Sequence, residues 1–405
     1  MPVLIIIGIA SKKTKNSGGE DAYLIGFWLV DTLDRYIEKG IGLMEALIKE
    51  AGLEEIYYKV KAGKRLLKED GIRLYNAPLL AVGYLANIVR ERLHGKRAYY
   101  VYNQHINYSN ICINLCKFCA FGRPKNDKRA LVLSLEEIEK KIRERIREPI
   151  HEVHIVGGLN PGLPFDYYLD ILHLVKKLRP DACIKAYTAV EIAHFSKITG
   201  KKVEEVLKEL KGAGLTALPG GGAEVFSPRV RKLVCPKKIS GERWLEISKI
   251  AHRLGIFTNA TLLYGHVETI EERIDHLLAL REAQDETGGF ICFIPLSFHP
   301  KNTGLSNLPG PTGIDDLKTI AISRLILDNI PHIKAYWIML TPKLAQISLN
   351  FGADDLDGTV IEEKITHMAG AASEQSLTRS QLECLIKEAG YQPTERDTLF
   401  RVVNA

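Results

Sequence analysis

The sequence predicts an α/β protein built as a TIM-type (β/α)8 barrel, with a helical cap before it and a helical extension after it. Three features carry that expectation. From about residue 98, short β-type runs alternate with helix-type runs. Most connections are a few residues long, which suits one continuous domain. A dense run of cysteines follows the first strand candidate, and barrel enzymes work at the C-terminal ends of their strands.

The strand candidates are 98–107, 152–156, 184–192, 217–218, 258–264, 291–297, 333–339 and 359–365. Helix starts lie between them. Ser134 precedes Glu137, Thr269 precedes Glu272 and Thr378 precedes Gln381, each by the spacing of a capping box. Trp244, Ile247, Ala251 and Leu254 keep one apolar face, which Gly255 ends, and Thr341-Pro342 reads as a helix start with proline in the first turn. Residues 1–50 read as an N-terminal extension, 51–97 as the cap, 98–370 as the barrel and 371–405 as the C-terminal helical extension.

Bulk composition narrows the class. The chain has 405 residues, 46% hydrophobic and 26% charged, an ordinary globular balance. Its net charge of +6 is mild and forms no basic tail or stripe, so no nucleic-acid partner is expected. The apolar run 3–10 is too short to span a bilayer, which takes ~20 residues, and lacks the flanks of a signal peptide. No membrane association is expected. Seven cysteines, only three of them clustered, point to the reducing cytoplasm and a metal or redox role.

The strongest local signal is Cys112-Ile-Asn-Leu-Cys116-Lys-Phe-Cys119. Three thiolates on one short loop can ligate three irons of a [4Fe–4S] cluster and leave the fourth open to S-adenosylmethionine. The alternative is a zinc knot with a histidine such as His105 as fourth ligand, but structural zinc sites draw cysteines as spaced pairs. Phe118, between two of the cysteines, is placed to stack on adenine or to pack in the core. Gly157 and Gly158 end the second strand candidate, where main chain could approach the methionyl end of the cofactor; a simple turn is the plainer reading. Thr261-x-Leu263-x-Gly265-x-x-Glu268 resembles an adenine-contacting G-x-I-x-G-x-x-E pattern, with Thr for the first Gly. Glu191 and Glu224, read at strand ends, could hold ribose hydroxyls or the amino group, or pair with lysines. His266 and His299 are the catalytic candidates by position, against the alternative of satisfied core histidines.

From about Glu55 onward the chain closely resembles the aminodeoxyfutalosine synthase family of radical S-adenosylmethionine enzymes. The resemblance is carried by "NQHINYSNICINLCKFCAFGR", "EVHIVGGLNPGLPFDYY", "LPGGGAEVF", "TNATLLYGHVET", "FIPLSFHPKNT", "HIKAYWIML" and "DDLDGTVIEEKITHMAG". It implies a [4Fe–4S] cluster, S-adenosylmethionine consumed as co-substrate, and a low-potential donor such as flavodoxin or ferredoxin. The implied reaction adds the 5′-deoxyadenosyl radical to the enolpyruvyl methylene of 3-[(1-carboxyvinyl)oxy]benzoate. It gives 6-amino-6-deoxyfutalosine, methionine and carbon dioxide or bicarbonate, a step of menaquinone biosynthesis. Lys185 and Lys334 join His266 and His299 as candidates for the two substrate carboxylates. The dehypoxanthine futalosine cyclase of the same pathway is the runner-up; it differs around Pro295–Pro300 and lacks a match to "HIKAYWIML". The tyrosine-using deazaflavin subunit resembles the chain more distantly. A non-catalytic iron–sulfur or zinc scaffold is the reading from a different class, opposed by acids, glycines and thiols gathering on one barrel face. Because the resemblance does not reach residues 1–43, that segment is expected to be peripheral or poorly ordered, with translation beginning naturally at Met44.

Overall fold

The computed structural model describes residues 42–361, 363–371 and 373–403. The expectations for residues 1–41 lie outside the described residues. The chain divides into two compact units, residues 1–54 and 55–405. The described part of the first holds the helix Leu43–Glu50, with Glu45 in its first turn and Lys49 in its last, as the helix dipole favours.

Helices Glu54–Lys61, Lys68–Asn76 and Leu79–His94 come next in the chain. Ten strands follow among the described residues: β1 (Arg97–Val101), β2 (Asn103–Ile106), β3 (Glu152–Ile155), β4 (Cys183–Ala186), β5 (Ala217–Leu218), β6 (Phe257–Tyr264), β7 (Phe290–Ser297), β8 (His332–Ile333), β9 (Asp355–Gly358) and β10 (Gln392–Glu395). β2 to β8 form one parallel sheet in sequence order. The segment after β8 spans the gap between the edges, because Asp355 bridges Lys334 and Ile361 bridges Gln104. The barrel reading therefore holds, with seven laddered strands and one irregular staple where eight strands were expected.

Local sequence chemistry explains the helices that alternate with these strands. Ser134, Thr269 and Thr378 each accept the N3 amide while Glu137, Glu272 and Gln381 return the bond, so all three expected capping boxes form. The helix Gly241–Arg253 ends before Gly255, whose φ of 69° is the left-handed geometry that glycine tolerates.

Four expected strands differ. The run 98–107 breaks at Tyr102 into β1 and β2, which belong to different sheets. The run 184–192 is strand only to Ala186; Thr188 and Glu191 form a fourth capping box that starts the helix Ala189–Thr199. The run 333–339 breaks at once into the helix Trp337–Leu340. Among the described residues of 359–365 only the isolated Ile361–Gln104 bridge forms, and the regular pairing lies just upstream in β9. A second parallel sheet, β10-β1-β9, was not anticipated. From it the C-terminal segment reaches the N-terminal edge of the barrel. Thr398 donates to Glu152 at the start of β3 (2.9 Å), and Arg396 pairs with Asp355 (2.5 Å).

Candidate active site

The cysteine loop leaves the C-terminal end of β2 and turns back under short-range main-chain bonds. Cys119 N–H donates to the Cys116 carbonyl (3.0 Å), and Cys112 N–H donates to the Arg123 carbonyl (2.9 Å). Lys117 anchors the outer limb by donating to Val234 (2.8 Å) and accepting from Gly304 (2.7 Å). The loop therefore presents Cys112, Cys116 and Cys119 to one cavity of about 340 Å³. That cavity is also lined by Phe118, Gly157, Gly158, Glu191, Glu224, Leu263 and His299.

The donor chemistry of the loop suits a thiophilic metal. Burial pushes the Cys116 thiol up to about 12 and raises that of Cys119 as well. Such thiols keep their protons until a cation replaces them. The Gly122 amide donates to Cys119 Sγ at 3.3 Å, a bond that can persist on a thiolate ligand. Three clustered thiols with an amide donor fit a [4Fe–4S] cluster.

The neighbouring glycines let the exit of β3 pack closely on this loop. A Cβ at Gly158 would stand 2.2 Å from the Ile111 carbonyl oxygen, and one at Gly157 would stand 2.6 Å from the Tyr108 ring. Only glycine lets β3's exit pack against the cysteine loop. In the triple glycine, a Cβ at Gly220 would meet the backbone of β6 at 2.9 Å. Thr261, the residue that departs from the expected motif, donates to the Gly220 carbonyl (2.7 Å) and ties the two strand ends together.

Glu224 has a φ of 49° and its carboxylate pairs with Lys238 at 2.6 Å. Lys238 lies 5.1 Å from the Phe118 ring centroid and lines the cavity. Burial opposes its charge, yet Cys116, Glu224 and Cys235 outweigh burial and lift its pKa above the ordinary lysine range. Sequence reading missed Lys238, because nothing in "VCPKKIS" marks one lysine as buried.

Three site expectations need correction. Glu191 is not at a strand end: it is the N3 residue of a helix, and its carboxylate accepts from Tyr108 Oη (2.6 Å), the amides of Gly157 (3.2 Å) and Thr188 (2.6 Å), and Thr188 Oγ1 (2.8 Å). It lines the cavity but is spent on fastening strand exits; burial raises its pKa against those bonds. His266 and Gly265 lie outside the cavity lining. His266 is buried against Glu268 (2.9 Å), and a Cβ on Gly265 would run into Pro311 at 2.5 Å. Glu268 accepts from the amides of Gly265 (2.6 Å) and His266 (3.0 Å) and from Arg273 (2.8 Å), so the tail of that motif is a charged turn brace. His299 does reach the cavity, with Nε2 at 2.9 Å from the Met339 carbonyl.

The carboxylate-binding candidates are also engaged. Lys185 pairs with Glu152 (2.6 Å), and Lys334 pairs with Asp357. Both lie at the cavity floor with His105, His154, Asp357 and Glu363. The strands "NQHI", "EVHI" and "CIKA" carry polar residues at alternate positions, a signal of inward-facing polar layers that could have been read from period-2 patterning.

Comparison with known proteins agrees with this geometry. Residues 106–280 match the radical SAM superfamily, and residues 287–405 match the CofH/MqnC C-terminal region. An aminodeoxyfutalosine synthase from Thermus thermophilus is 49% identical over 361 residues, covering 88% of this chain and 97% of that protein. One from Streptomyces coelicolor is 42% identical over 87% of this chain and 95% of its own. A 5-amino-6-(D-ribitylamino)uracil–L-tyrosine 4-hydroxyphenyl transferase from Archaeoglobus fulgidus is 44% identical over 79% of this chain and 93% of its own. At 44% over a shorter stretch, a tyrosine-using relative stands close behind the two synthases. Among solved structures, methylornithine synthase superposes with a TM-score of 0.68 at 18% identity, covering 83% of this chain and 96% of that one. An FeFe-hydrogenase maturase from Carboxydothermus hydrogenoformans gives 0.67 at 17%, covering 93% and 84%. At such identities the likeness speaks for the fold alone.

Proposed function

The chain belongs to the radical S-adenosylmethionine superfamily, among the aminodeoxyfutalosine synthases and their near relatives, and on that premise we propose that it carries out the aminodeoxyfutalosine synthase reaction of menaquinone biosynthesis. The identity to the Thermus synthase over 97% of that protein's length carries the choice of reaction.

Cys112, Cys116 and Cys119 would hold the cluster, with Phe118, Leu263, Glu224 and Lys238 around the S-adenosylmethionine beside it. When bound, the cluster supplies the electron that splits S-adenosylmethionine into methionine and the adenosyl radical that 3-[(1-carboxyvinyl)oxy]benzoate takes up. The protein's own part is placement and exclusion. Glu224 and Lys238 offer one anion and one cation from a buried pair, a match for the amino and carboxylate groups of an amino acid. Gly157, Gly158 and Glu191 fix the loop against β3 and β4, so the cysteines keep one geometry. The apolar walls supplied by Val156, Leu263, Ile294, Leu296 and Phe298 keep water and stray hydrogen donors from a reactive intermediate. A low-potential protein donor such as flavodoxin or ferredoxin supplies the electron.

The 44% identity to the hydroxyphenyl transferase supports a second reading, transfer of a tyrosine-derived group to a ribitylaminouracil. Anaerobic turnover of the reconstituted protein, followed by mass spectrometry, separates the two. Aminodeoxyfutalosine from the enolpyruvyl benzoate is the expected product. Turnover of tyrosine with the uracil instead would replace the proposal with the second reading.

A further inference from the structure

Below the cysteine loop, three neighbouring strands lay a row of polar side chains across the cavity floor. His105 on β2 stands in register with His154 on β3, and His154 with Lys185 on β4. Each is the last residue but one of its strand, so all three side chains project to the same side, and all three line the cavity. One layer lower stand Asn103, Glu152 and Cys183. Glu152 is satisfied there by Lys185 (2.6 Å), Asn103 (3.3 Å) and Thr398 (2.9 Å).

The two imidazoles of the upper row are not satisfied. They stack on each other, with ring centroids 4.5 Å apart and planes 14° from parallel. His105 Nε2 is buried without a hydrogen-bond partner, and neither ring bonds to a side chain or carbonyl among the described residues. His276 and His266 also keep one buried nitrogen without a partner, but each spends the other, on the Thr261 carbonyl and on Glu268, both at 2.9 Å; His252 meets Thr258 and Thr287 at 2.8 and 2.6 Å, and His194 faces the Asn160 carbonyl at 3.4 Å. Buried N–H groups are left open in native proteins where a ligand or water completes them. The lysines on either side are neutralised by their own carboxylates, so the pair is the unspent donor of the floor.

On the reaction proposed above, the substrate is an aromatic ether with a carboxylate at each end. The enolpyruvyl methylene must lie near the cysteine loop, where the adenosyl group would be. The ring carboxylate then points away from the loop, down the barrel axis. We propose that the stacked His105–His154 pair receives that ring carboxylate, and so selects a carboxylated aryl ether. The inference rests on the proposed reaction but assigns residues that the reaction alone does not.

The test is anaerobic calorimetric binding to the cluster-loaded protein, without S-adenosylmethionine. The two probes are 3-[(1-carboxyvinyl)oxy]benzoate and 2-phenoxyacrylate, which lacks only the ring carboxylate. Hydrogen bonds to a charged group correspond to a preference of roughly 10- to 100-fold for the wild-type protein. His105→Phe and His154→Phe should shrink this preference to within about 3-fold, with iron content and affinity for 2-phenoxyacrylate unchanged. His154→Gln, which keeps a donor, should retain part of it. Should the Phe variants not fold, the wild-type protein decides: the benzoate, and not 2-phenoxyacrylate, should shield both histidines from diethyl pyrocarbonate, read by peptide mass. Undiminished preference in folded variants, or equal shielding by both probes, overturns this inference alone. Wild-type protein that binds neither probe overturns the proposed reaction and this inference with it.

Discussion

Cys112, Cys116 and Cys119 share one loop and one cavity, whereas Cys183, Cys235, Cys292 and Cys384 are scattered over other elements. Cys235 is the informative control, since it is buried beside Lys238 and contributes to that lysine's raised pKa. Alanine at any of the three loop positions should abolish S-adenosylmethionine cleavage, with iron and visible absorbance lost. Alanine at Cys235, or at any of the other three, should leave iron near normal. Iron loss from one of those four would move the ligand assignment. Glu268 gives a residue-scale test of the charged turn. Burial alone would raise its carboxyl, but His266, Arg273 and the Gly265 amide outweigh burial and hold it at about 2, below the ordinary 4.5. A depressed folded value stabilises the protein above about pH 4.5, and the gain disappears as pH falls through about 2. Wild type should therefore exceed Glu268→Gln in stability at neutral pH, with the gap closing between those two values in an acid titration followed by circular dichroism. A gap that does not change with pH would contradict the ionised brace.

At the scale of elements, the packing of β3's exit on the cysteine loop is set by two residues without side chains. Gly158→Ala places a methyl group 2.2 Å from the Ile111 carbonyl oxygen, a backbone atom that cannot swing aside. The variant should fold, because the barrel core is untouched, but its iron incorporation should fall severalfold; wild-type iron content would show that the loop has slack. The same region shows why some of the site was legible and some was not. Three thiols between residues 112 and 119 announce themselves by identity and spacing. The capping boxes at Ser134, Thr269 and Thr378 are local four-residue chemistry, and each formed. The box at Thr188 and Glu191 was hidden within an apolar run that reads as strand, so Glu191 was set on the wrong element and given a ligand role. Lys238, His105 and His154 matter because of what lies across the barrel from them, and contacts between distant strands have no local signature. β10 was missed for a similar reason: "QPTE" has neither apolar alternation nor β-branched density, and its strand geometry is imposed by pairing with β1.

For the whole molecule, the C-terminal segment packs against the N-terminal ends of the barrel strands. Arg396 is fully buried, pairs with Asp355 and covers the Phe400 ring at 4.1 Å, while Thr398 completes Glu152. Arg396→Met leaves Asp355 with the Lys334 ammonium at 3.8 Å and the Asp357 amide at 2.8 Å, and losing one partner of a buried pair costs about 3–5 kcal/mol. The thermal midpoint should drop by roughly 4–6 °C for a protein of this size; an unchanged midpoint would mean the segment does not hold the barrel. The fate of the adenosyl group distinguishes the proposed reaction from those of the relatives. With adenosyl-labelled S-adenosylmethionine, 3-[(1-carboxyvinyl)oxy]benzoate and an anaerobic reductant, the label should appear in 6-amino-6-deoxyfutalosine, with one methionine per product and little free 5′-deoxyadenosine. Label recovered as free 5′-deoxyadenosine in step with consumption of dehypoxanthine futalosine or tyrosine would contradict it.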